Sequence, residues 1–469
     1  MPKAFPREVK YLIVGSGPTG LGAAYRLKEL GQFDFLVAES SSHVGGLATS
    51  FVDEKGFTWD IGGHVQFSHY RYFDEVMRKA LGENGWLTHE RESWVWILDR
   101  FIPYPFQNNI RHLPREEMWK CLDGLVEIYR RPPNRSPINF REWIHATFGD
   151  GLAEVFMEPY NFKVWAYPPD EMSYEWIGER VAVTDLSRVL KNVILEKDDL
   201  SWGPNNTFQF PRIGGTGAIW SAIADLVGRE SIFLGKTLVS ISPKGKIARF
   251  SDGSEVRYSF LLNTTPLDRF VGAVEGMPDA AKDAATHLKF SSSNIVGIGL
   301  RGKKPAELGK KCWMYFPEGD CPFYRVTVFS NYSPNNVPDP KTEWSLMAEV
   351  SESSVKPVDA GTLIDDVLDG MRKTQLIDEA SEIVSRWAYR AHHGYPTPFL
   401  GRNGVLDRIQ SELENLGIQS RGRFGGWKYE VSNQDHSMMQ GVEWANRVVL
   451  NVPETTYFFP ATANANWGK

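Results

Sequence analysis

Three glycines, Gly15, Gly17 and Gly20, and a carboxylate, Glu39, are the first residues in this chain whose types and spacing point to chemistry. With that spacing, the first glycine permits a tight turn and the second lets backbone N–H groups approach a pyrophosphate. The third lets a helix close on the preceding strand. A carboxylate about 24 residues after the first glycine can hydrogen-bond a ribose hydroxyl. The implied chemistry is dinucleotide binding. The flanking residues supply the elements it needs. Residues 11–14 form a continuous apolar run that fits a strand buried on both faces. Residues 22–27 begin a helix whose free N–H groups and positive dipole end would face the phosphates. A second apolar run, 33–38, ends at Glu39.

A second glycine pair, Gly45-Gly46, follows soon after Glu39. Domains that bind only a nicotinamide do not need it, and the pattern resembles that of many flavin enzymes. A third pair, Gly62-Gly63, interrupts an apolar stretch beside His64, Phe67 and His69, as a backbone approaching a flat group would.

The chain has 469 residues and a net charge of −6, with an isoelectric point near 6.0. This argues against a general binder of nucleic acid or anionic membrane, while leaving room for a local cationic pocket. The aromatic content of 13% with 16 tryptophans suits large aromatic cores as well as planar ligands. Cys121, Cys312 and Cys321 are odd in number and match no zinc spacing. They read as reduced thiols of a cytoplasmic protein. The N-terminal residues carry no apolar secretory core, and no run of about 18 apolar residues suggests a membrane span.

Further along, helical spacing predicts helices at 116–130, 139–148, 151–160 and 406–416, and a short one after Gly214-Gly215-Thr216-Gly217. Residues 101–110, with two prolines, read as extended. Strand patterns fall at 237–241, 247–250 and 256–264, and then at 294–300, 313–317, 323–331, 344–350 and 382–391, the last five suggesting one antiparallel sheet. Residues 421–437 form a polar cluster. The expected architecture is α/β: a Rossmann-type dinucleotide domain at 1–100, continued at about 215–275 and 400–469, with a helical insertion at 101–200 and a sheet domain at 201–214 and 276–399.

No GxSxG elbow, HExxH, Walker A loop or Cys/His nucleophile arrangement is present, and nothing in the sequence pairs two carboxylates across a sugar. This absence fits an enzyme whose cofactor carries the hard chemistry. Nine ordered segments carry a specific resemblance: 45–51 with 60–70 (GGLATSF and DIGGHVQFSHY), 104–109 (YPFQNN), 159–166 (PYNFKVWA), 178–182 (GERVA), 202–208 (WGPNNTF), 312–317 (CWMYFP), 323–333 (FYRVTVFSNYS), 393–398 (HGYPTP) and 423–437 (RFGGWKYEVSNQDHS). The chain resembles the UDP-galactopyranose mutases over about residues 10–440, the eukaryotic (fungal and protozoan) branch more than the bacterial one.

The resemblance implies FAD held by Gly15, Gly17, Gly20, Glu39 and Gly46, with Val239 near the adenine. Arg423, Asn433, Gln434 and Ser437 would line the flavin, and Gly63 and His64 would form a loop that moves with its redox state. It implies that Arg180 and Arg325 bind the substrate diphosphate, joined by Tyr395 and Tyr429. Phe106 and Gln107 would lie on the uridine side, Asn161 and Trp165 in the substrate pocket, Asn205 on a closing flap, and Trp313 and Tyr315 on the sugar side. The implied reaction interconverts UDP-galactopyranose and UDP-galactofuranose through an N5-glycosyl adduct of reduced FAD, with no net redox change. The source of electrons stays open; the eukaryotic branch can take them from NADPH, with Arg91 and Tyr104 as contact candidates. No metal, nucleic acid or membrane partner is implied, and the oligomeric state stays open. Two departures stand out: Lys428 where the family often has Arg, and a tail after residue 440 with little likeness. The alternatives are a mutase acting on another nucleotide sugar, an amine-oxidase-like flavin oxidoreductase that needs no arginine pair, and a non-catalytic sugar-nucleotide binder.

Overall fold

The computed structural model describes residues 4–132, 134–183, 185–200 and 206–465. At its centre, the strand Glu8–Val14 runs parallel to Phe35–Ala38 on one side and Glu255–Asn263 on the other. Its last four residues are all buried, as the unbroken apolar run requires. The strand Glu255–Asn263 shares its outer edge between two partners: Ile247–Phe250 runs antiparallel along its first half and Ile418–Ser420 parallel along its second. The ends Val14, Ala38 and Asn263 lie in register, so the carboxyl ends of the central strands open on one crevice.

The helix Pro18–Glu29 leaves that crevice with Pro18 at its first turn. A Cβ at Gly20 would lie 1.9 Å from the Gly15 carbonyl oxygen, so only glycine lets the helix close on the turn. A second helix, Gln434–Leu450, crosses it with similar intimacy. A Cβ at Gly441 would lie 1.9 Å from the Thr19 carbonyl oxygen, and one at Gly22 would lie 2.6 Å from that of Met438. This 17-residue helix was expected only as part of a polar cluster. The polar residues occupy its first turn, while Met438, Val442 and Ala445 supply the buried face.

The other large sheet has the order Glu382–Pro396, Phe290–Arg301, Glu343–Glu352, Arg325–Val328, Trp313–Tyr315, Ser93–Ile97, Arg100–Pro103. The five strands expected to make one antiparallel sheet do so; Trp313–Tyr315 then pairs in parallel with Ser93–Ile97, so strands from early in the chain extend the sheet built by later ones. One face is levelled by Gly297 and Gly299, against which Trp59 and Phe57 lie flat; a Cβ on either glycine would come within 2.6 Å of a ring. The stretch expected as extended over 101–110 keeps that form only through Pro103. It then turns through Phe106–Asn108 and Ile110–His112.

Helices Arg115–Arg130, Phe140–Leu152, Glu158–Trp165 and Leu186–Ile194 form a layer over this region. Gly149, at φ +73°, breaks regular geometry where its chain passes within van der Waals range of Gly124. No helix among the described residues is long and apolar enough to cross a membrane.

Candidate active site

A cavity of about 860 Å³ opens at the carboxyl ends of the central strands and continues along the second sheet to Arg180. Its inner end is the glycine turn. Gly15, at φ +103°, turns the chain, and Gly17 faces Gly46 across it. A Cβ at Gly46, where φ is +55°, would lie 3.3 Å from the Gly17 Cα, a tight approach, whereas one at Gly17 would make ordinary contact with Gly46 at 3.9 Å.

Glu39 is buried beside them. One carboxylate oxygen accepts from the Ser16 N–H and hydroxyl, both at 2.8 Å, and the other from the Ser41 N–H and hydroxyl, also at 2.8 Å. Burial alone would raise its pKa, but the bonds from Ser41 and Ser16 outweigh burial and hold the group below its ordinary value. It is ionised, with its lone pairs engaged by these four donors. Asn433, Gln434 and Ser437 reach the same end from the first turn of the crossing helix, so two helix N-termini line this part of the cavity.

Val239, expected near the adenine, does not line the cavity: its side chain is 55% exposed, and the wall there is made by Lys236, Thr237 and Leu238. Strand alternation turns the Val239 side chain away from that wall.

In the middle of the cavity lies the loop Gly62-Gly63-His64. Gly62 has φ +97°, and the Gly63 N–H donates to a Glu349 carboxylate oxygen at 2.9 Å. Glu349 also takes the fork of Arg325, with Nε and Nη2 each at 2.7 Å, and the Tyr324 hydroxyl at 2.8 Å. Burial opposes the charge on Arg325, but the Glu349 carboxylate prevails and holds the guanidinium well above its ordinary pKa. Burial likewise opposes ionisation of Glu349, and Arg325 keeps its pKa low. His64 lines the cavity with Nδ1 buried and without a partner. Burial, followed by the charges of Arg423 and Arg325 against that of Glu349, drives its pKa down to about 4.

Beyond the loop, Tyr395 and Tyr429 stand with ring centroids 5.9 Å apart. Trp165 packs edge-on against both, at 5.9 Å and 4.7 Å. Arg423 lies over Tyr395 at 4.7 Å and donates to the Gly394 carbonyl oxygen at 2.8 Å and the Ser432 hydroxyl at 2.9 Å. Arg180 lies over the Tyr429 ring at 5.6 Å and donates to the Glu430 carbonyl oxygen at 2.7 Å. The side chain of Asn464 accepts from Arg180 at 3.3 Å, so the tail of little resemblance reaches the site. Trp313 and Tyr315 close the far wall, the indole N–H donating to the phenol oxygen. Arg91 and Tyr104 line the same wall, 5.4 Å apart.

Five other expected residues stand behind the lining rather than in it. Gly20 serves the turn. Phe106 is fully buried on Phe156, and Gln107 donates to the Ala182 carbonyl oxygen. Asn161 donates to the Met157 carbonyl oxygen at 2.7 Å, and Trp165 buttresses the tyrosines. In this structure Phe106, Gln107 and Asn161 shape the pocket without facing it. Asn205 lies outside the described residues.

Glu349 was not found by sequence reasoning. The usable signal was strand register: Arg325 and Glu349 sit directly opposite each other on antiparallel neighbours. Among the described residues, His69, Asp435 and His436 bring candidate metal-ligand atoms within 4.8 Å of one another. Asp435 there already accepts from the His69 ring at 2.6 Å and its N–H at 3.0 Å, which ties the loop after His64 to the crossing helix.

The sequence matches the family of flavin-containing amine oxidoreductases over residues 18–437. A crystal structure of a reduced UDP-galactopyranose mutase is 49% identical, with a TM-score of 0.95 over 97% of each chain. A cyclohexylamine oxidase from Brevibacterium oxydans is 15% identical with a TM-score of 0.67, covering 95% of this chain and 99% of its own, a likeness of fold alone. The zeta-carotene desaturase of Capsicum annuum is 32% identical over 83 residues, which are 18% of this chain and 14% of that protein. That of Solanum lycopersicum is 31% identical over the same shares. The chain thus aligns with only about a seventh of these curated relatives' length.

Proposed function

The chain belongs to the flavin-containing amine oxidoreductases and, within them, to the UDP-galactopyranose mutases, and we propose that it interconverts UDP-galactopyranose and UDP-galactofuranose. The observation that carries this reading is one continuous cavity lined both by the glycine turn and by Arg180, Arg325, Tyr395 and Tyr429.

The residues present fit FAD. The Gly17 and Gly46 backbones line the cavity without side chains where a pyrophosphate would lie, and Glu39 stands ionised beside them. The unpartnered Nδ1 of His64 marks a polar atom awaiting a partner in the middle of the cavity. Reduced FAD, when bound, supplies the nucleophile that takes the anomeric carbon from UDP. The chain supplies binding, orientation and electrostatics.

Arg180 and Arg325 neutralise the diphosphate as it leaves. Guanidinium groups do this with paired, charge-assisted hydrogen bonds. The Tyr395 and Tyr429 hydroxyls add donors without adding charge, and burial raises the Tyr429 pKa, which keeps that donor protonated. Trp165 holds both rings in place. Trp313 and Tyr315 face the sugar. His64, neutral at physiological pH, shapes the cofactor's surroundings rather than moving a proton.

Arg91 and Tyr104, on the cavity wall, support NADPH as the source of electrons. Three unpaired, buried cysteines are consistent with work in the cytoplasm. The test is direct: dithionite-reduced holoenzyme is incubated with UDP-galactofuranose and the products are separated. UDP-galactopyranose is the expected product; no conversion with flavin bound would overturn the reading.

A further inference from the structure

We infer that Asn464 is a positioning residue for Arg180, and that the divergent segment after the helix Gln434–Leu450 is folded so as to deliver it. This inference rests on the mutase reading above, which gives Arg180 the substrate diphosphate.

Two acceptors set the Arg180 guanidinium, and neither belongs to its own segment. Nη2 donates to the Glu430 carbonyl oxygen at 2.7 Å, and Nη1 donates to the Asn464 side-chain oxygen at 3.3 Å. The other end of the Asn464 amide fixes its orientation. Its Nδ2 donates to the carbonyl oxygens of Glu430 at 3.0 Å and Pro460 at 2.9 Å, which leaves the amide oxygen for the arginine. The Glu430 carbonyl oxygen accepts from both side chains and closes a small ring of hydrogen bonds. The Tyr429 ring, 5.6 Å from the guanidinium carbon, supports the third side. Arginine has five N–H groups, so these two bonds leave three for a diphosphate. A long side chain loses rotamer freedom when a ligand orders it, and one already held does not.

The segment that carries Asn464 is anchored at three successive points. Glu454, with no exposed side-chain surface, accepts from Arg421 Nη2 at 2.9 Å and Arg447 Nη1 at 2.8 Å. Thr456 donates its N–H and its hydroxyl to the Glu443 carboxylate, both at 2.8 Å. Tyr457 is buried, with Lys428 Nζ 4.3 Å from its ring centroid and donating to its carbonyl oxygen at 3.1 Å. The two departures from the family pattern, Lys428 and the divergent segment, thus meet in one contact. The short helix Pro460–Ala465 follows, with Ala463 buried and Asn464 next to it. Asn464 is therefore carried on an arm fixed to the body of the protein.

An amide suits this place because it accepts a hydrogen bond without adding charge. A carboxylate would cancel the arginine's charge and hold it roughly twice as strongly, in competition with the diphosphate.

The experiment is a double-mutant cycle on dithionite-reduced, FAD-loaded protein, with UDP as the probe of affinity and kcat/KM for UDP-galactofuranose as the second readout. Asn464→Ala should weaken UDP binding by about 5-fold, the scale of one intramolecular hydrogen bond, with kcat/KM falling alongside. Asn464→Asp should weaken UDP more than Asn464→Ala does, although it keeps an acceptor in place. In an Arg180→Ala background, adding Asn464→Ala should change UDP affinity by less than about 2-fold, the limit for groups that act only through one another's contact. A merely structural role would weaken UDP equally in both backgrounds, and that result would overturn the inference. So would full UDP affinity in Asn464→Ala, or an Asn464→Asp variant that binds UDP as the wild type does. Failure of the mutase reading shows separately, as wild-type protein that binds FAD but neither binds UDP nor converts UDP-galactofuranose.

Discussion

Arg180 donates from Nη2 to the backbone carbonyl oxygen of Glu430 at 2.7 Å, which holds its guanidinium over the Tyr429 ring. The arginine is thus parked on a backbone acceptor that competes only weakly with a diphosphate. A neutral carbonyl gives a hydrogen bond roughly half as strong as a charged phosphate oxygen does. Arg180→Ala should lower kcat/KM for UDP-galactofuranose by about 100-fold or more, some 3 kcal/mol of transition-state stabilisation. Arg180→Lys should recover only part of this, because an ammonium cannot make the paired contact. Steady-state kinetics on the reduced enzyme decides it, and near-normal turnover of the alanine variant would remove Arg180 from the mechanism.

Arg325 is bound differently, and its replacement should cost stability as well as activity. Removing it leaves Glu349 with a buried, uncompensated charge. Breaking a buried pair from one side costs about 3–5 kcal/mol. Arg325→Ala should therefore shift the denaturant midpoint sharply downward, whereas Arg180→Ala should move it little. Equilibrium urea unfolding of both variants side by side provides the comparison; equal midpoints would contradict the assigned difference.

That contrast shows what a sequence can carry. Both arginines are visible as motif residues, and both line the cavity. The partner of Arg325 is not visible, because the chain has 58 acidic residues and only the register of two strands selects Glu349. The glycine turn was legible because its motif is local and Gly20 answers to the Gly15 carbonyl five residues back, although Gly15 meets Thr264 and Gly17 meets Gly46 only in the folded chain. Phe106, Gln107 and Asn161 were legible as important, but their distance behind the lining was not, since side-chain facing depends on turns and helices that meet only in the folded chain. The helix Gln434–Leu450 was hidden by the polar residues of its first turn, which face the cavity instead of solvent.

The crossing of that helix with Pro18–Glu29 yields a stability prediction. A methyl at Gly441 would press to 1.9 Å on the Thr19 carbonyl oxygen, and backbone on both sides leaves nothing flexible to yield. Overpacking of this sort costs about 1–3 kcal/mol, and more where the backbone itself must move. Gly441→Ala should lower the melting temperature by several degrees and loosen FAD, since Thr19 and Gln434 line the same cavity. Fluorimetric melting together with the flavin-to-protein absorbance ratio would detect both effects. A variant with wild-type melting and full flavin would show that the two helices are not held as closely as described.

His64 gives a pH dependence with a defined sign. Burial, then the opposing influence of Glu349 and the positive charges of Arg423 and Arg325, takes its pKa from the ordinary 6.5 to about 4 in the folded chain. Between those values the unfolded chain binds a proton that the folded chain refuses, so stability falls as pH drops from 6.5 toward 4. Above that window both states are neutral and the residue contributes no slope. The loss attributable to His64 is at most about 3 kcal/mol, at 1.36 kcal/mol per pKa unit. His64→Gln keeps a polar side chain and removes the titration. The variant should therefore lose less stability than the wild type between pH 7 and pH 5, measured as the difference in urea midpoints of FAD-loaded protein. Parallel losses in the two proteins would mean that His64 titrates near its ordinary value. The neutral imidazole assigned to the middle of the cavity would then be charged at moderately acid pH.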